Sequence, residues 1–96
     1  MYVRIHTNGD ERILAACDED IIGKTFRGDG MRITVSETFY RGESVSTEAY
    51  IERMKSVSIM NLVGEEAVSI AVAQGHVSPE NIIVIGGVKH AQVVMM

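Results

Sequence analysis

The chain has 96 residues, of which 46% are hydrophobic, and its formal net charge is −4. This length predicts one domain over residues 1–96, and the apolar content favours a buried core over disorder. Cys17 is the single cysteine, which excludes an intramolecular disulfide and a zinc site built from several cysteines of one chain; its apolar surroundings predict a buried, unreactive thiol. The negative charge disfavours nucleic-acid binding driven by overall charge, and leaves only a local basic patch for that purpose.

The first third of the chain predicts a hairpin. Residues 2–7 and the start of residues 11–17 alternate apolar and polar side chains, as strands with one buried face do. Asn8 and Gly9 lie between them and tolerate the positive φ angles of a type I′ turn. The hairpin is therefore expected to turn at these two residues.

The next segment mixes weak signals. One helical turn is expected around residues 19–22, ending at Gly23. Residues 31–35 alternate and are rich in β-branched side chains, so they predict a third strand approached through glycines. Residues 37–45 have an irregular pattern, and no element is predicted there.

Two helices are predicted in the second half. Ser46 or Thr47 can cap a helix that continues to about Val57. Asn61 is the expected cap of a second helix, and Gly75 is well placed to end it in a left-handed conformation.

The C-terminal segment predicts a strand pair. Ser78 and Pro79 favour a short capped turn, and the apolar residues 82–85 indicate a central strand covered on both faces. Gly86 and Gly87 then predict a tight turn into a last strand.

These elements predict an α+β fold with two layers, in which about five mostly antiparallel strands carry two helices on one face. A mixed sheet is the alternative, because the helices separate the third strand from the fourth and can form a crossover connection.

The sequence contains no strong catalytic signature. Gly23, Lys24 and Thr25 resemble the end of a phosphate-binding loop, but Asp18 stands where that motif requires its first glycine. The three histidines lack the spacing of metal ligands. We therefore assign no catalytic residue, no metal site and no cofactor.

Two glycine turns carry the candidate binding residues: the first is a glycine-rich turn flanked by Lys24 and Arg27, and the second is Gly86-Gly87, which Lys89 and His90 follow. If the turns meet at one end of the sheet, their cationic groups and backbone donors form one anion-binding or RNA-binding surface. The candidate residues are Lys24, Thr25, Arg27, Gly86, Gly87, Lys89 and His90.

Four segments resemble a family of small archaeal proteins that is known only as a domain of unknown function. They are residues 1–6, 23–26, 61–68 and 85–93, and the last is the most distinctive. The resemblance spans nearly the whole chain. It implies an archaeal, cytoplasmic protein and no particular activity or site residue. The absence of an apolar leader or of a run of about 18 apolar residues leads to the same expectation of a cytoplasmic protein that does not enter a membrane.

Two classes of function remain open. The favoured hypothesis is a non-enzymatic binding module that docks on RNA, a ribonucleoprotein or a protein partner through the local basic patch. The alternative is a small enzyme or small-molecule sensor that uses an anion site between the two glycine turns. A flat basic patch favours the first, and a concave pocket with a perturbed titratable group favours the second.

Overall fold

A computed structural model describes residues 1–95 of the chain. It contains eight strands in two sheets. The strands are β1 (Tyr2–Asn8), β2 (Glu11–Cys17), β3 (Thr25–Gly28), β4 (Met31–Thr34), β5 (Glu43–Ser44), β6 (Ile59–Val63), β7 (Ile83–Ile85) and β8 (Val88–Val94).

The larger sheet has six strands in the order β5-β1-β2-β6-β8-β7. Strands β2 and β6 are parallel, and every other neighbouring pair in it is antiparallel. The fold is thus α+β, and its sheet corresponds to the mixed alternative. Strands β3 and β4 form a separate antiparallel pair, which we call the ribbon.

Short helices connect the strands. None of those within residues 1–95 is long and apolar enough to cross a membrane. The α-helices are α1 (Glu37–Tyr40), α2 (Thr47–Met54) and α3 (Glu65–Ala73), and two 3₁₀ turns cover Glu19–Ile21 and Pro79–Asn81.

The six-stranded sheet is covered on both faces. Successive side chains of a strand point to opposite sides, so each strand contributes to a core on either face. Leu14 and Leu62 lie on the first face, in a core shared with Tyr50 of α2 and Val68 of α3. The second face carries a smaller core, under the ribbon and α1. That core contains Ala15, Cys17, Ile21, Val35, Tyr40, Val63 and Val88.

Most predicted caps and turns are confirmed. The Ser46 hydroxyl accepts the Ala49 N–H at the start of α2, and Gly75, with φ of 80°, follows the end of α3. Gly86 and Gly87 both have positive φ between β7 and β8, as a type I′ turn requires.

The first hairpin turns one residue later than predicted. Asn8 pairs with Glu11, so the two loop residues are Gly9 and Asp10. Gly9 has φ of 61°, and Asp10 does not have a positive φ. This combination defines a type II′ turn, which needs glycine only at its first central position.

Two predictions about strands were wrong. Asn61 does not cap a helix: it lies in the middle of β6, a strand that the prediction lacked, and its side-chain oxygen accepts the Tyr40 hydroxyl at 2.6 Å. Strand β7 is not central but lies at the edge of the sheet, where Ile83 and Val84 are 44% and 52% exposed. The irregular residues 37–45 contain α1 and β5.

Cys17 is fully buried at the end of β2. Burial raises the pKa of its thiol from 9.0 to about 12, and the negative charge of Asp18 acts in the same direction. The inert thiol expected from the sequence therefore has a clear structural cause.

We expect native Cys17 to react with a thiol reagent about a thousandfold more slowly than Cys17 of urea-unfolded protein, because each pKa unit reduces the thiolate tenfold. The unfolded thiol ionises near pH 9 and the folded one near pH 12. The contribution of this group to stability is therefore complete below pH 9 and is lost as the pH rises towards 12. Labelling kinetics check the first statement, and urea unfolding across this pH range checks the second. The free energy of unfolding of Cys17→Ala should fall less at alkaline pH than that of the wild type. Rapid labelling of the native protein would contradict the burial of Cys17.

Candidate functional site

The ribbon is a regular two-stranded hairpin with a tight turn. Gly28 pairs with Met31, and the two residues between them, Asp29 and Gly30, have φ of 51° and 76°. Two consecutive positive φ angles form a type I′ turn, whose twist matches that of the strands it joins. The ribbon is therefore a defined surface rather than an irregular loop.

Alternation along the ribbon separates an apolar inner face from a polar outer face. Phe26 pairs with Ile33, and both side chains pack against the second core. The side chains of the outer face are all exposed. They belong to Thr25, Arg27, Arg32 and Thr34.

The outer face places like groups opposite each other. Thr25 pairs with Thr34, and their hydroxyl oxygens are hydrogen-bonded at 2.9 Å. Arg27 pairs with Arg32, so their Cβ atoms are about 5 Å apart. Guanidinium groups carried by such neighbouring residues repel each other when they converge, and an anion bound between them would relieve that repulsion.

The ribbon and the residue before it hold the cations whose side chains have no hydrogen-bond acceptor within residues 1–95. Four other cations form salt bridges: Arg41 with Glu37, Arg53 with Glu43, Lys55 with Glu52 and Lys89 with Glu65.

Arg4 and Arg12 donate instead to main-chain carbonyls. Within residues 1–95, the remaining cations, Lys24, Arg27 and Arg32, have no acceptor for their side-chain N–H groups. Lys24 is exposed immediately before β3. All three thus lie on the ribbon or next to it.

The Gly86 turn meets the segment that carries Lys24 and Arg27, but that segment is strand β3 and not the glycine turn that the sequence predicted. A Cβ added to Gly86 would lie 2.7 Å from the carbonyl oxygen of Arg27, and one added to Gly28 would lie 2.9 Å from the nitrogen of Gly86. Backbone therefore packs directly on backbone at this point. Gly87 is exposed beside it, and an added Cβ there would meet no atom within 4 Å.

Lys89 and His90 do not join the ribbon's outer face. Lys89 points to the opposite face of the main sheet, where its Nζ donates to Glu65 at 3.0 Å. His90 is 9% exposed, and its Nδ1 is hydrogen-bonded to the carbonyl oxygen of Leu62 at 2.9 Å. The structure thus groups Lys24, Thr25 and Arg27 with Gly86, and places Lys89 and His90 elsewhere.

Arg32 is the member of this surface that sequence reasoning missed. It belongs there because the Asp29 and Gly30 turn puts it opposite Arg27. An Asp-Gly pair between two short alternating runs was the available signal.

The segment from Gly23 to Thr25 does not have the architecture of a phosphate-binding loop. The N–H of Gly23 donates to Val35, and the N–H of Lys24 donates to Ile21. Thr25 then starts a strand and not a helix. The backbone donors that would cradle a phosphate are already used.

We therefore expect ATP and GTP with magnesium to be neither hydrolysed nor stabilising, with a melting temperature unchanged within about 1 °C. Phosphate release and thermal melting test this expectation. Saturable turnover that disappears in Lys24→Ala would contradict it.

The N-terminus of α3 is occupied from within the protein. The two carboxylate oxygens of Asp18 accept the N–H groups of Glu66 at 3.0 Å and Ala67 at 2.8 Å. Asp18 follows β2, so this contact joins the sheet to the helix. It uses the two donors and the positive end of the helix dipole that an external anion would otherwise meet.

Among residues 1–95, no group of three or more His, Cys, Asp or Glu side chains is arranged to hold a metal ion, and no pocket is found. His6 stacks on Phe39 and its Nε2 is hydrogen-bonded to the Phe39 carbonyl oxygen at 2.8 Å. This histidine fixes α1 against β1.

These features define a small α+β domain with a mixed sheet, two helices on one face and an arginine-bearing ribbon on the other. Residues 6–96 match a family described as a protein of unknown function (DUF424), and the chain belongs to this family. An uncharacterised conserved protein from Methanopyrus kandleri has a similar crystal structure, with 31% identity and a TM-score of 0.81 over 99% of this chain and 92% of that one. A comparison with curated proteins finds no match.

Proposed function

We propose that this protein is a non-enzymatic RNA-binding module whose ribbon contacts the phosphate backbone. The observation that carries the proposal is that Arg27 and Arg32 lie opposite each other on an exposed face, with Lys24 nearby, and without an internal acceptor among residues 1–95. The other cations of this acidic protein are paired or bonded to carbonyls.

The chemistry of these groups fits phosphate. A guanidinium presents a planar set of donors that binds a phosphate with two parallel hydrogen bonds. Each phosphate contact also releases counterions from the nucleic acid, so a few contacts suffice for measurable binding at low salt. Because the net charge is −4, this attraction has to be local.

The support beneath the ribbon favours a binding surface over an enzyme. Phe26 and Ile33 attach the ribbon to the second core, and Gly86 packs against the backbone of Arg27. The alternative, an anion site between the two glycine turns, needs space where Gly28 and Gly86 are in contact. The proposal retains the cytoplasm as the location, because RNA is the partner.

The test compares two double variants that lose the same charge and the same residue type. Arg27→Ala/Arg32→Ala removes the ribbon arginines, and Arg41→Ala/Arg53→Ala removes two arginines that already have carboxylate partners. Binding of a fluorescent RNA stem-loop is measured by anisotropy over a range of salt concentrations. We expect the ribbon variant to weaken binding at least roughly tenfold and to flatten the dependence of log K on log salt by about two, since two phosphate contacts are lost.

The control variant should bind nearly as well as the wild type. Equal losses in both variants would indicate a general charge effect and contradict the proposal, as would equal binding by all three proteins. Lys24→Ala should weaken binding less than the double variant, and Lys89→Ala should leave it unchanged, because Lys89 lies on the other face.

A further inference from the structure

We infer that the ribbon binds double-stranded RNA across its minor groove, with the threonine pair contacting ribose 2′-hydroxyls and the arginine pair contacting phosphates. This inference rests on the proposed function and specifies its ligand. It follows from the outer face of the ribbon: Thr25, Thr34, Arg27 and Arg32.

The threonine pair supplies both a donor and acceptors. The Oγ1 atoms of Thr25 and Thr34 share one hydrogen bond of 2.9 Å, and both side chains are exposed. One hydroxyl proton and the unused lone pairs therefore remain for a ligand. A 2′-hydroxyl is also a donor and an acceptor, and it is the group that distinguishes RNA from DNA.

The spacing on the ribbon places hydroxyls beside cations. Thr25 and Arg27 are two residues apart on the same face, as are Arg32 and Thr34, which separates the two pairs by about 7 Å along the strands. The minor groove of an RNA duplex is wide and shallow, and it presents 2′-hydroxyls flanked by phosphates. The polar and cationic rows of the ribbon complement these two rows of groups.

The same face is poorly suited to unpaired bases. Proteins that bind single strands stack successive bases on aromatic side chains. The outward residues of the ribbon are threonines and arginines, and its aromatic residue, Phe26, packs inward on the second core. Contacts with the backbone of a duplex use every outward group, whereas base stacking uses none of the threonines.

The experiment measures binding of the full chain to three probes of the same sequence: an RNA duplex, a DNA duplex and the single RNA strand. We expect the RNA duplex to bind most tightly. Thr25→Val/Thr34→Val keeps the shape and the β-strand propensity of the two side chains but removes their hydroxyls. It should reduce the preference for duplex RNA over duplex DNA roughly tenfold, as the loss of two neutral hydrogen bonds does.

Controls separate this inference from the proposed function. Thr7→Val changes an exposed threonine on β1, outside the ribbon, and should leave all three affinities unchanged. Arg27→Ala/Arg32→Ala should weaken binding to both duplexes alike, because phosphates are common to RNA and DNA. Melting curves verify that each variant folds.

The outcomes are distinct. Tighter binding of the single strand, or a preference for RNA duplex that survives Thr25→Val/Thr34→Val, would overturn this inference and leave the RNA-binding function standing. Failure of the wild type to bind any RNA probe would overturn both.

Discussion

Replacing Gly64 by alanine is expected to lower the free energy of unfolding by roughly 3 kcal/mol, because a side chain there is both strained and blocked. Gly64 has φ of 114° and ψ of 157°, a region that residues with a side chain rarely adopt. An added Cβ would also lie 2.5 Å from Cγ of Asp18, the residue that caps α3. Urea unfolding and a melting temperature lowered by roughly 15 °C would report the change.

Gly75→Ala is the matched control at the other end of α3. Gly75 has φ of 80°, but an added Cβ would meet no atom within 4 Å. It carries backbone strain alone and should cost about 1 kcal/mol.

A double variant tests the role of Asp18 as the cap of α3. Asp18→Ala removes two hydrogen bonds to the helix start and should cost about 1–2 kcal/mol. In Gly64→Ala/Asp18→Ala the carboxylate that obstructs the new Cβ is gone. The combined loss of unfolding free energy should therefore be smaller than the sum of the single losses. Strict additivity would show that Gly64 and Asp18 act independently, contrary to the contact described.

Gly86→Ala is expected to cost about 2–3 kcal/mol, since its Cβ would lie 2.7 Å from the Arg27 oxygen and 2.8 Å from the Arg27 nitrogen. These are backbone atoms, so the whole ribbon has to shift. Gly87→Ala introduces a side chain at φ of 84° where no atom lies within 4 Å, and it should cost only about 1 kcal/mol.

The displaced ribbon should have a second measurable effect. Gly86→Ala should weaken the proposed RNA binding although it changes no charge, whereas Gly87→Ala should bind as the wild type does. Equal stabilities of the two variants would contradict the contact between Gly86 and the ribbon.

The sequence predicted elements that are set by local chemistry. The Ser46 cap, Gly75 at the end of α3 and the turn at Gly86 and Gly87 depend on hydroxyls and glycines next to the element they start or end. Strand β6 could not be predicted in this way, because its central Asn61 is satisfied by Tyr40, which is 21 residues away. Its neighbours on both sides are even more distant in sequence, since Asn61 lies opposite Ala15 of β2 and Gln92 of β8.

The candidate site was predictable to the extent that it depends on the ribbon's own residues. Lys24, Thr25 and Arg27 were identified by their glycine-rich surroundings, and Arg32 required the register of the hairpin. The separation of Lys89 required knowledge of which face of β8 it occupies, and alternation on a strand does not reveal which face meets the helices. His90 is held by Leu62 of β6, a strand absent from the prediction.

The ribbon forms a sheet of its own and adheres to the main sheet through side-chain packing and the contact at Gly86. An element attached in this way can open locally while the six-stranded sheet stays intact. Amide hydrogen exchange should therefore divide into two populations, with β3 and β4 exchanging through a low-energy opening and β2, β6 and β8 only through global unfolding. Because Cys17 lies in the core beneath the ribbon, the same opening would expose the buried thiol to solvent, and an RNA duplex bound as proposed would slow both processes together.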